Sequence, residues 1–199
     1  MHPLGNHFMR SLPLGAFVAA VGLAGFLWPA SADAYQRHPL IVAVTGGACS
    51  FDDDRGLRDE ATVGARTGVG IGDFVTLWTD LSYSNPLQKA QPSATADVYA
   101  LRMMVQIDAV RTPFAPYAIV GGGGVLYSFD NAVSNAAGVL VLGGGLRYRF
   151  GRAVLFAEGR GEMSRVRAIE TFPFDPPVLA PERTTTWNES LVGGFGVEF

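Results

Sequence analysis

Apolar residues recur at every second position in eight separate segments of this chain. Successive side chains of a β-strand point to opposite faces, so this spacing places apolar residues on one face and small or polar residues on the other. Turn-forming residues separate the segments, as expected for consecutive strands. The pattern therefore predicts an all-β fold. The predicted strands are roughly Leu40–Ser50, Ala61–Gly72, Phe74–Ser84, Thr95–Asp108, Phe114–Phe129, Ala137–Phe150, Ala153–Arg165 and Thr185–Phe199.

The links between these segments alternate strictly between short and long. The short links are 72–73, 109–113 and 151–152, and the long ones are 51–60, 85–94, 130–136 and 166–184. Such alternation is typical of an up-and-down barrel with tight turns at one end and loops at the other. We therefore predict an eight-stranded antiparallel up-and-down β-barrel. An even number of strands places both ends of the barrel segment at the turn end.

Residues 1–34 have the order of a secretory signal peptide. Arg10 precedes a mostly apolar stretch from Leu12 to Trp28, and Ala32-Asp33-Ala34 supplies a small-x-small cleavage site. An uncleaved membrane anchor is the alternative, because the apolar stretch approaches the lower length limit of a spanning helix. The predicted organisation is a cleaved signal peptide at 1–34 and a barrel at 35–199, exported from the cytoplasm.

The orientation of the two faces decides between a soluble and a membrane barrel. A soluble barrel buries its apolar face and exposes its charges. A membrane barrel inverts this arrangement, and charged residues then face the lumen. Inversion would make six charged residues lumen residues, and we expect the two glutamates to pair with Arg102, Arg147 or Arg160, since unpaired charges in a narrow interior are costly. The six are Arg102, Arg147, Arg149, Glu158, Arg160 and Glu162.

Aromatic residues and glycines favour inversion. The glycine runs 121–124 and 143–145 would make poor soluble strands. Aromatics at the ends of the apolar face resemble interfacial girdles, so we predict a transmembrane barrel. A soluble periplasmic barrel that binds a small apolar ligand stays as the alternative. The girdle residues are Phe74, Tyr99, Tyr117, Tyr148, Phe150 and Phe199 at the turn end, and Tyr83, Tyr127 and Trp187 nearer the loops.

Three stretches carry a family resemblance. "PYAIVGGGGVLY" (116–127), "GGGLRYRFGRAVLFAEGRGEM" (143–163) and the final "GGFGVEF" resemble the small eight-stranded outer-membrane proteins grouped as OmpA-like or porin-family β-barrel domains. The resemblance implies a Gram-negative outer-membrane location, with membrane lipid and lipopolysaccharide as partners. It also implies that the barrel-assembly machinery reads the last strand. The residues that match this assembly signal are Leu191, Phe195, Val197 and Phe199.

The sequence argues against catalysis and against a cofactor. A nucleophilic serine needs a base within hydrogen-bond reach, yet His2 and His7 lie in the signal peptide and His38 lies before the first strand, at the turn end. The acidic run 52–54 lacks the continued ligand spacing of a calcium loop and is interpreted as a solvated loop, with a carboxylate-only catalytic mechanism as the alternative. A formal net charge of −3 gives no indication of nucleic-acid binding. We therefore predict a protein that is not an enzyme and has no cofactor or metal.

Function then depends on the lumen and the loops. Eight strands enclose a space that side chains can just fill, so we predict a structural or surface role, with a narrow ion path lined by arginines as the alternative. The last loop, 166–184, combines apolar residues with Pro173, Pro176, Pro177 and Pro181. It predicts either a contact site for a surface partner or a plug over the barrel mouth.

Overall fold

The protein is a closed barrel of eight antiparallel strands in sequential order. The computed structural model describes residues 39–53, 56–89, 93–129, 134–170 and 178–199. The predicted signal peptide at 1–34 lies outside the described residues. The strands are β1 (Leu40–Ser50), β2 (Glu60–Ile71), β3 (Val75–Ser84), β4 (Ala96–Asp108), β5 (Phe114–Phe129), β6 (Asn135–Phe150), β7 (Ala153–Glu170) and β8 (Val178–Glu198).

Pairing of β8 with β1 closes the barrel. Val44 of β1 lies opposite Phe195 of β8, and the register continues from Ile41 to Ser50. At the turn end, Phe199 N–H donates to the Leu40 carbonyl at 2.8 Å, and Leu40 N–H donates to the Phe199 carbonyl at 3.3 Å. Closure leaves no open sheet edge, which is the condition a β-structure must meet in hydrocarbon.

Short turns form where glycines permit a left-handed backbone. Gly72 has φ 65° and Gly151 has φ 58°, values that residues with a Cβ rarely adopt. These two glycines let the chain reverse direction within a few residues, between β2 and β3 and between β6 and β7. Short hairpin turns usually require a residue with positive φ. We call the end with these connections the turn end and the opposite end the loop end.

The last two strands are longer than the sequence pattern predicts. β7 continues to Glu170 and β8 begins at Val178. The prediction of a loop over all of 166–184 is therefore wrong for 166–170 and 178–184, whose backbone is in strands. The register shifts between Arg167, which pairs with Arg183, and Ile169, which pairs with Leu179. Pro181 falls in that shifted interval, where a strand tolerates a residue without N–H. Pro173, Pro176 and Pro177 lie outside the described residues.

The outer face of the barrel is apolar. Met103 is 70% exposed, Leu191 68% and Phe150 74%. Apolar side chains outside and charges inside form the inverted arrangement of a transmembrane β-barrel. Within the described ranges, no helix has the length and apolarity needed to cross a bilayer. Other large apolar residues on this face are Val44, Val69, Leu77, Leu101, Ile107, Val120, Leu126, Leu140, Leu142, Leu146, Leu155, Met163 and Phe195.

Three of the predicted girdle positions are wrong. Tyr117 and Tyr127 are 6% and 2% exposed and belong to the buried interior. Tyr99 lies at the loop end, with its ring centroid 5.1 Å from that of Tyr83. In β5 both faces carry apolar residues and no charge marks the inner one, so polarity could not assign the direction of its tyrosines. Tyr148, Phe150 and Trp187 are exposed on the outer face.

Candidate functional site: the charged lumen

Six charged side chains meet in the middle of the barrel interior. Three are arginines and three are carboxylates, so their formal charges cancel. They come from β2, β3, β4 and β7, and none is more than 7% exposed. We call this group the central cluster. Its members are Arg66, Asp80, Arg102, Glu158, Arg160 and Glu162.

Arg66 and Glu158 form the core of the central cluster. The Arg66 Nη2 and Nη1 atoms donate to Glu158 Oε1 at 2.5 Å and Oε2 at 3.1 Å. Arg66 Nε donates to Asp80 Oδ2 at 3.1 Å. Arg160 donates to the same two carboxylates, through Nε to Glu158 and through Nη2 to Asp80 at 3.1 Å. Tyr117 adds a hydroxyl donor to Glu158 Oε2 at 2.7 Å. Buried charges that are paired and hydrogen-bonded in this way are tolerated in a narrow interior.

Arg102 extends the central cluster toward the loop end. Its Nη2 lies 2.8 Å from Glu162 Oε1, and its Nη1 lies 3.1 Å from Asp80 Oδ1. Nη1 also donates to Ser82 Oγ at 2.7 Å. Each arginine of the central cluster therefore holds at least two hydrogen-bond acceptors, and the network spans the lumen from β2 to β7.

Two aromatic rings enclose the Arg66 guanidinium. Its carbon lies 5.2 Å from the ring centroid of Trp78 and 4.7 Å from that of Phe156, within cation–π range. Inward-facing glycines provide the room, because a Cβ on Gly68 would overlap the Trp78 ring and a Cβ on Gly194 would overlap the Phe156 ring. These packed rings fill the lumen on the turn side of the central cluster.

A second ion pair lies nearer the turn end. Arg147 Nη1 donates to Asp108 Oδ2 at 2.6 Å, and Gln106 Nε2 donates to Asp108 Oδ1 at 2.7 Å. Of the three arginines expected to hold the lumen glutamates, Arg102 and Arg160 do so. Arg147 holds Asp108 instead, which lies closer to it along the barrel axis. Arg149 sits at the rim, with a 32% exposed side chain and Nε 3.5 Å from Glu198 Oε2.

The structure places Arg102, Arg147, Glu158, Arg160 and Glu162 inside the barrel, and three partners were absent from the sequence prediction. These are Arg66, Asp80 and Asp108, which are 0%, 1% and 4% exposed. A sequence signal for Arg66 and Asp80 existed, because each is a single charge in the middle of a strand with apolar neighbours of opposite parity. Asp108, at the end of β4, gave no such signal.

Residues from the first two long connections cap the loop end. Leu57 is fully buried and Phe51 is 6% exposed. Arg58 N–H donates to the Leu87 carbonyl at 2.9 Å, and Lys89 N–H donates to the Gly56 carbonyl at 2.6 Å. These backbone bonds join the two connections into one cover, which places Leu57 over the mouth.

The acidic run in the first connection is only partly solvated. Asp52 Oδ2 accepts the Trp187 N–H at 2.9 Å, which ties the run to β8. Asp53 fits the predicted solvated loop, with a 95% exposed side chain 2.5 Å from Lys89 Nζ. Asp54 lies outside the described residues. No group of potential metal ligands occurs among the described residues.

A small cavity separates the cap from the central cluster. Its volume is about 30 Å³, room for only one or a few water molecules. Cys49, Phe51 and Tyr127 line it from the loop side, and Arg102 and Glu162 line it from the side of the central cluster. A cavity of this size between two packed layers is far smaller than an organic solute.

Comparison with solved structures shows the same architecture elsewhere. Neisserial surface protein A matches with a TM-score of 0.56 and 15% identity over 81% of this chain and 97% of that one. The outer membrane protein OprG of Pseudomonas aeruginosa matches with a TM-score of 0.51 and 12% identity over 82% and 96%. The fold is that of the small outer-membrane barrels. No family model and no curated protein sequence matches the chain.

In this outer-membrane barrel fold, the predicted assembly residues lie on the lipid-facing parity of β8. Leu191 is 68% exposed and Phe195 is 48% exposed. Val197 pairs with Val42 of β1 and Ala153 of β7. Phe199 follows the last strand residue and is partly exposed. The four residues thus form one apolar stripe along the strand that closes the barrel.

Proposed function

We propose that this chain is a non-enzymatic barrel of the Gram-negative outer membrane, with a structural or surface-interaction role in the cell envelope. One observation carries the proposal: the central cluster and the Arg147–Asp108 pair are packed inside the barrel, while leucines, valines and aromatics cover its outside. In water this arrangement would expose a large apolar belt, whereas in a bilayer the belt meets hydrocarbon. The alternative of a soluble ligand-binding barrel requires the opposite orientation.

The filled lumen argues for a role at the surface rather than in solute passage. The central cluster is charge-balanced and hydrogen-bonded across the interior, and the cavity above it is about 30 Å³. A narrow ion path would require arginines that face open water. Arg66, Arg102 and Arg160 instead hold carboxylates. We therefore propose a barrel that does not conduct appreciably at rest.

The absence of catalysis is part of the proposal. His38 is the only histidine in 35–199, and it lies outside the described residues. Near the loop end, Asp52 accepts a backbone N–H of β8, which is a structural role. No histidine follows the first strand in the sequence. A serine at the loop end therefore has no histidine nearby to act as its catalytic base.

Location and partners follow from the same proposal. Residues 1–34 would direct export, the barrel-assembly machinery would read the stripe on β8, and membrane lipid and lipopolysaccharide would surround the belt. The connection around 166–184 would face the exterior, where it could contact a surface partner. Replacing 171–177 with a glycine-serine linker tests this contact: loss of surface binding with unchanged thermal stability supports it, and unchanged binding contradicts it.

Migration on SDS gels tests the barrel in the membrane. Protein from the outer-membrane fraction should migrate faster unheated than boiled, because a closed barrel resists SDS until heated. In planar bilayers the same preparation should give no steady conductance. A soluble periplasmic protein without a heat shift would contradict the proposal, and steady ion current would favour the conducting alternative.

A pair of arginine substitutions tests the lipid environment of the belt. Leu142 lies mid-strand on the outer face and Phe150 lies at its turn end. Leu142→Arg should lower the free energy of unfolding by about 2–4 kcal/mol and Phe150→Arg by at most about 1 kcal/mol, as the cost of a charge on the lipid face depends on depth. Equal small costs would mean that both positions meet water.

A further inference from the structure

A groove runs along the outer face of the barrel near the loop end. Its volume is about 540 Å³, and it crosses β3, β4, β5 and β6. Small residues form the floor, and larger apolar residues form the walls. The floor includes Gly124, Ala136 and Gly138, and the walls include Leu81, Tyr99, Leu101 and Leu126.

Strand register explains the groove. Gly124 of β5 lies opposite Gly138 of β6, so two adjacent outward positions carry no side chain. At the next outward-facing pair toward the loop end, Leu126 of β5 lies opposite Ala136 of β6. Leu101 on the neighbouring strand is 54% exposed and borders this gap. The sequence thus builds a concave strip into a face that elsewhere projects large side chains.

A hydrogen-bonded polar group lies at the loop end of the groove. Asp97 is the next outward-facing residue of β4 beyond Tyr99 in the direction of the loop end, and it pairs with Ser128 of β5. Its Oδ1 accepts the Tyr83 hydroxyl at 2.8 Å and the Asn85 Nδ2 at 2.7 Å. No hydrogen bond to Oδ2 is seen within the described part of the chain. A carboxylate on the lipid-facing parity therefore keeps one oxygen for an external donor.

We propose that this groove holds one acyl chain of an outer-leaflet lipid whose amino-sugar headgroup donates a hydroxyl or amide hydrogen bond to Asp97. The inference rests on the proposed function, since it needs the belt to lie in the outer membrane. The apolar floor matches a hydrocarbon chain. The carboxylate matches a hydrogen-bond donor at the membrane surface, because a charge at that depth requires a partner.

Two glycine substitutions provide a matched test of the groove. A Cβ at Gly138 would lie 3.9 Å from the nearest atom, the Gly123 carbonyl oxygen, and a Cβ at Gly159, also exposed, has nothing within 4 Å. Gly138→Leu therefore fills the groove without backbone strain, and Gly159→Leu adds the same bulk to the outer face elsewhere. Both variants should keep the heat-dependent gel shift.

Native mass spectrometry with added lipid A measures how much lipid A each variant retains in the groove. Gly138→Leu should lower the retained lipid A roughly tenfold, because the leucine takes the place of several buried methylenes, while Gly159→Leu should match the unsubstituted protein. Asp97→Asn should lower lipid A retention severalfold and leave phosphatidylcholine, which offers no headgroup donor, unchanged. Equal retention by the two leucine variants would overturn the inference.

Other outcomes also decide the matter. If Gly138→Leu dissociates a dimer, the groove binds a second copy of the chain and the lipid inference is wrong. If phosphatidylcholine is retained as well as lipid A, the role of Asp97 is wrong. A normal heat shift without groove-dependent lipid retention would overturn this inference alone, whereas a missing heat shift in the unsubstituted protein would overturn the proposed function with it.

Discussion

Arg66 of β2 and Glu158 of β7 meet inside the barrel through two parallel hydrogen bonds of 2.5 Å and 3.1 Å. The two strands are not neighbours in the sheet, so the pair bridges the lumen. Bidentate arginine–carboxylate contacts are among the stronger hydrogen-bonded pairs in proteins. Because both side chains are fully buried, each depends on the other for compensation of its charge.

Glu158→Ala should therefore destabilise the barrel strongly. The substitution leaves Arg66 and Arg160 short of an acceptor, and removal of one partner of a buried pair costs about 3–5 kcal/mol. Urea unfolding in detergent, followed by the gel shift, measures the free energy of unfolding. Asp53→Ala, which removes the exposed pair with Lys89, is the control and should change nothing measurable. Equal effects of the two substitutions would mean that the central cluster does not stabilise the lumen.

Period-two patterning was sufficient for the architecture because the outer face of a membrane barrel is predominantly apolar. The bounds of β1 and β5 agree with the prediction, and those of β2, β3, β4 and β6 differ only slightly. The pattern assigned Tyr117 and Tyr127 to the wrong face of the sheet, because both faces of β5 carry apolar residues. Arg102 and Arg160, two of the three candidate arginines, do pair with the lumen glutamates. The pair of Arg147 with Asp108 was missed because it depends on register between distant strands, which no single strand pattern contains.

Two adjacent glycines in β5 should respond in opposite ways to substitution by alanine. A Cβ on inward-facing Gly123 would overlap the Leu101 carbonyl oxygen of β4, whereas a Cβ on outward-facing Gly124 would lie 3.9 Å from its nearest atom. Gly123→Ala should therefore reduce the yield of heat-modifiable barrel sharply, since backbone atoms must move apart. Gly124→Ala should leave the yield unchanged. Refolding yields in detergent, compared side by side, check this, and similar yields would show that β4 and β5 can separate at low cost.

Cys49 reports on the cap at the loop end. It is the only cysteine of the chain and lines the cavity beneath Phe51. Leu57, fully buried over the mouth, should lose about 2–5 kcal/mol of packing on substitution by alanine. Local opening would then become more frequent, so Leu57→Ala should raise the rate of Cys49 labelling by a water-soluble maleimide at least roughly tenfold.

The labelling experiment has a control at the other end of the barrel. Val110 lies in a turn-end link and is 40% exposed, so Val110→Ala should leave the rate unchanged. If Leu57→Ala labels no faster than the unsubstituted protein, the reagent reaches Cys49 without opening the cap, and the two connections are not its cover.

Phe199 separates recognition during assembly from stability of the finished barrel. Its backbone closes the barrel through two hydrogen bonds with Leu40, and these bonds do not require its side chain. If the assembly machinery reads the ring, Phe199→Ala should lower the amount of barrel assembled in cells while refolding in detergent proceeds as before. Phe114→Ala, which removes an exposed turn-end aromatic from β5, should affect neither measurement. Equal losses in cells and in detergent would instead mean that the Phe199 ring stabilises the closed sheet itself.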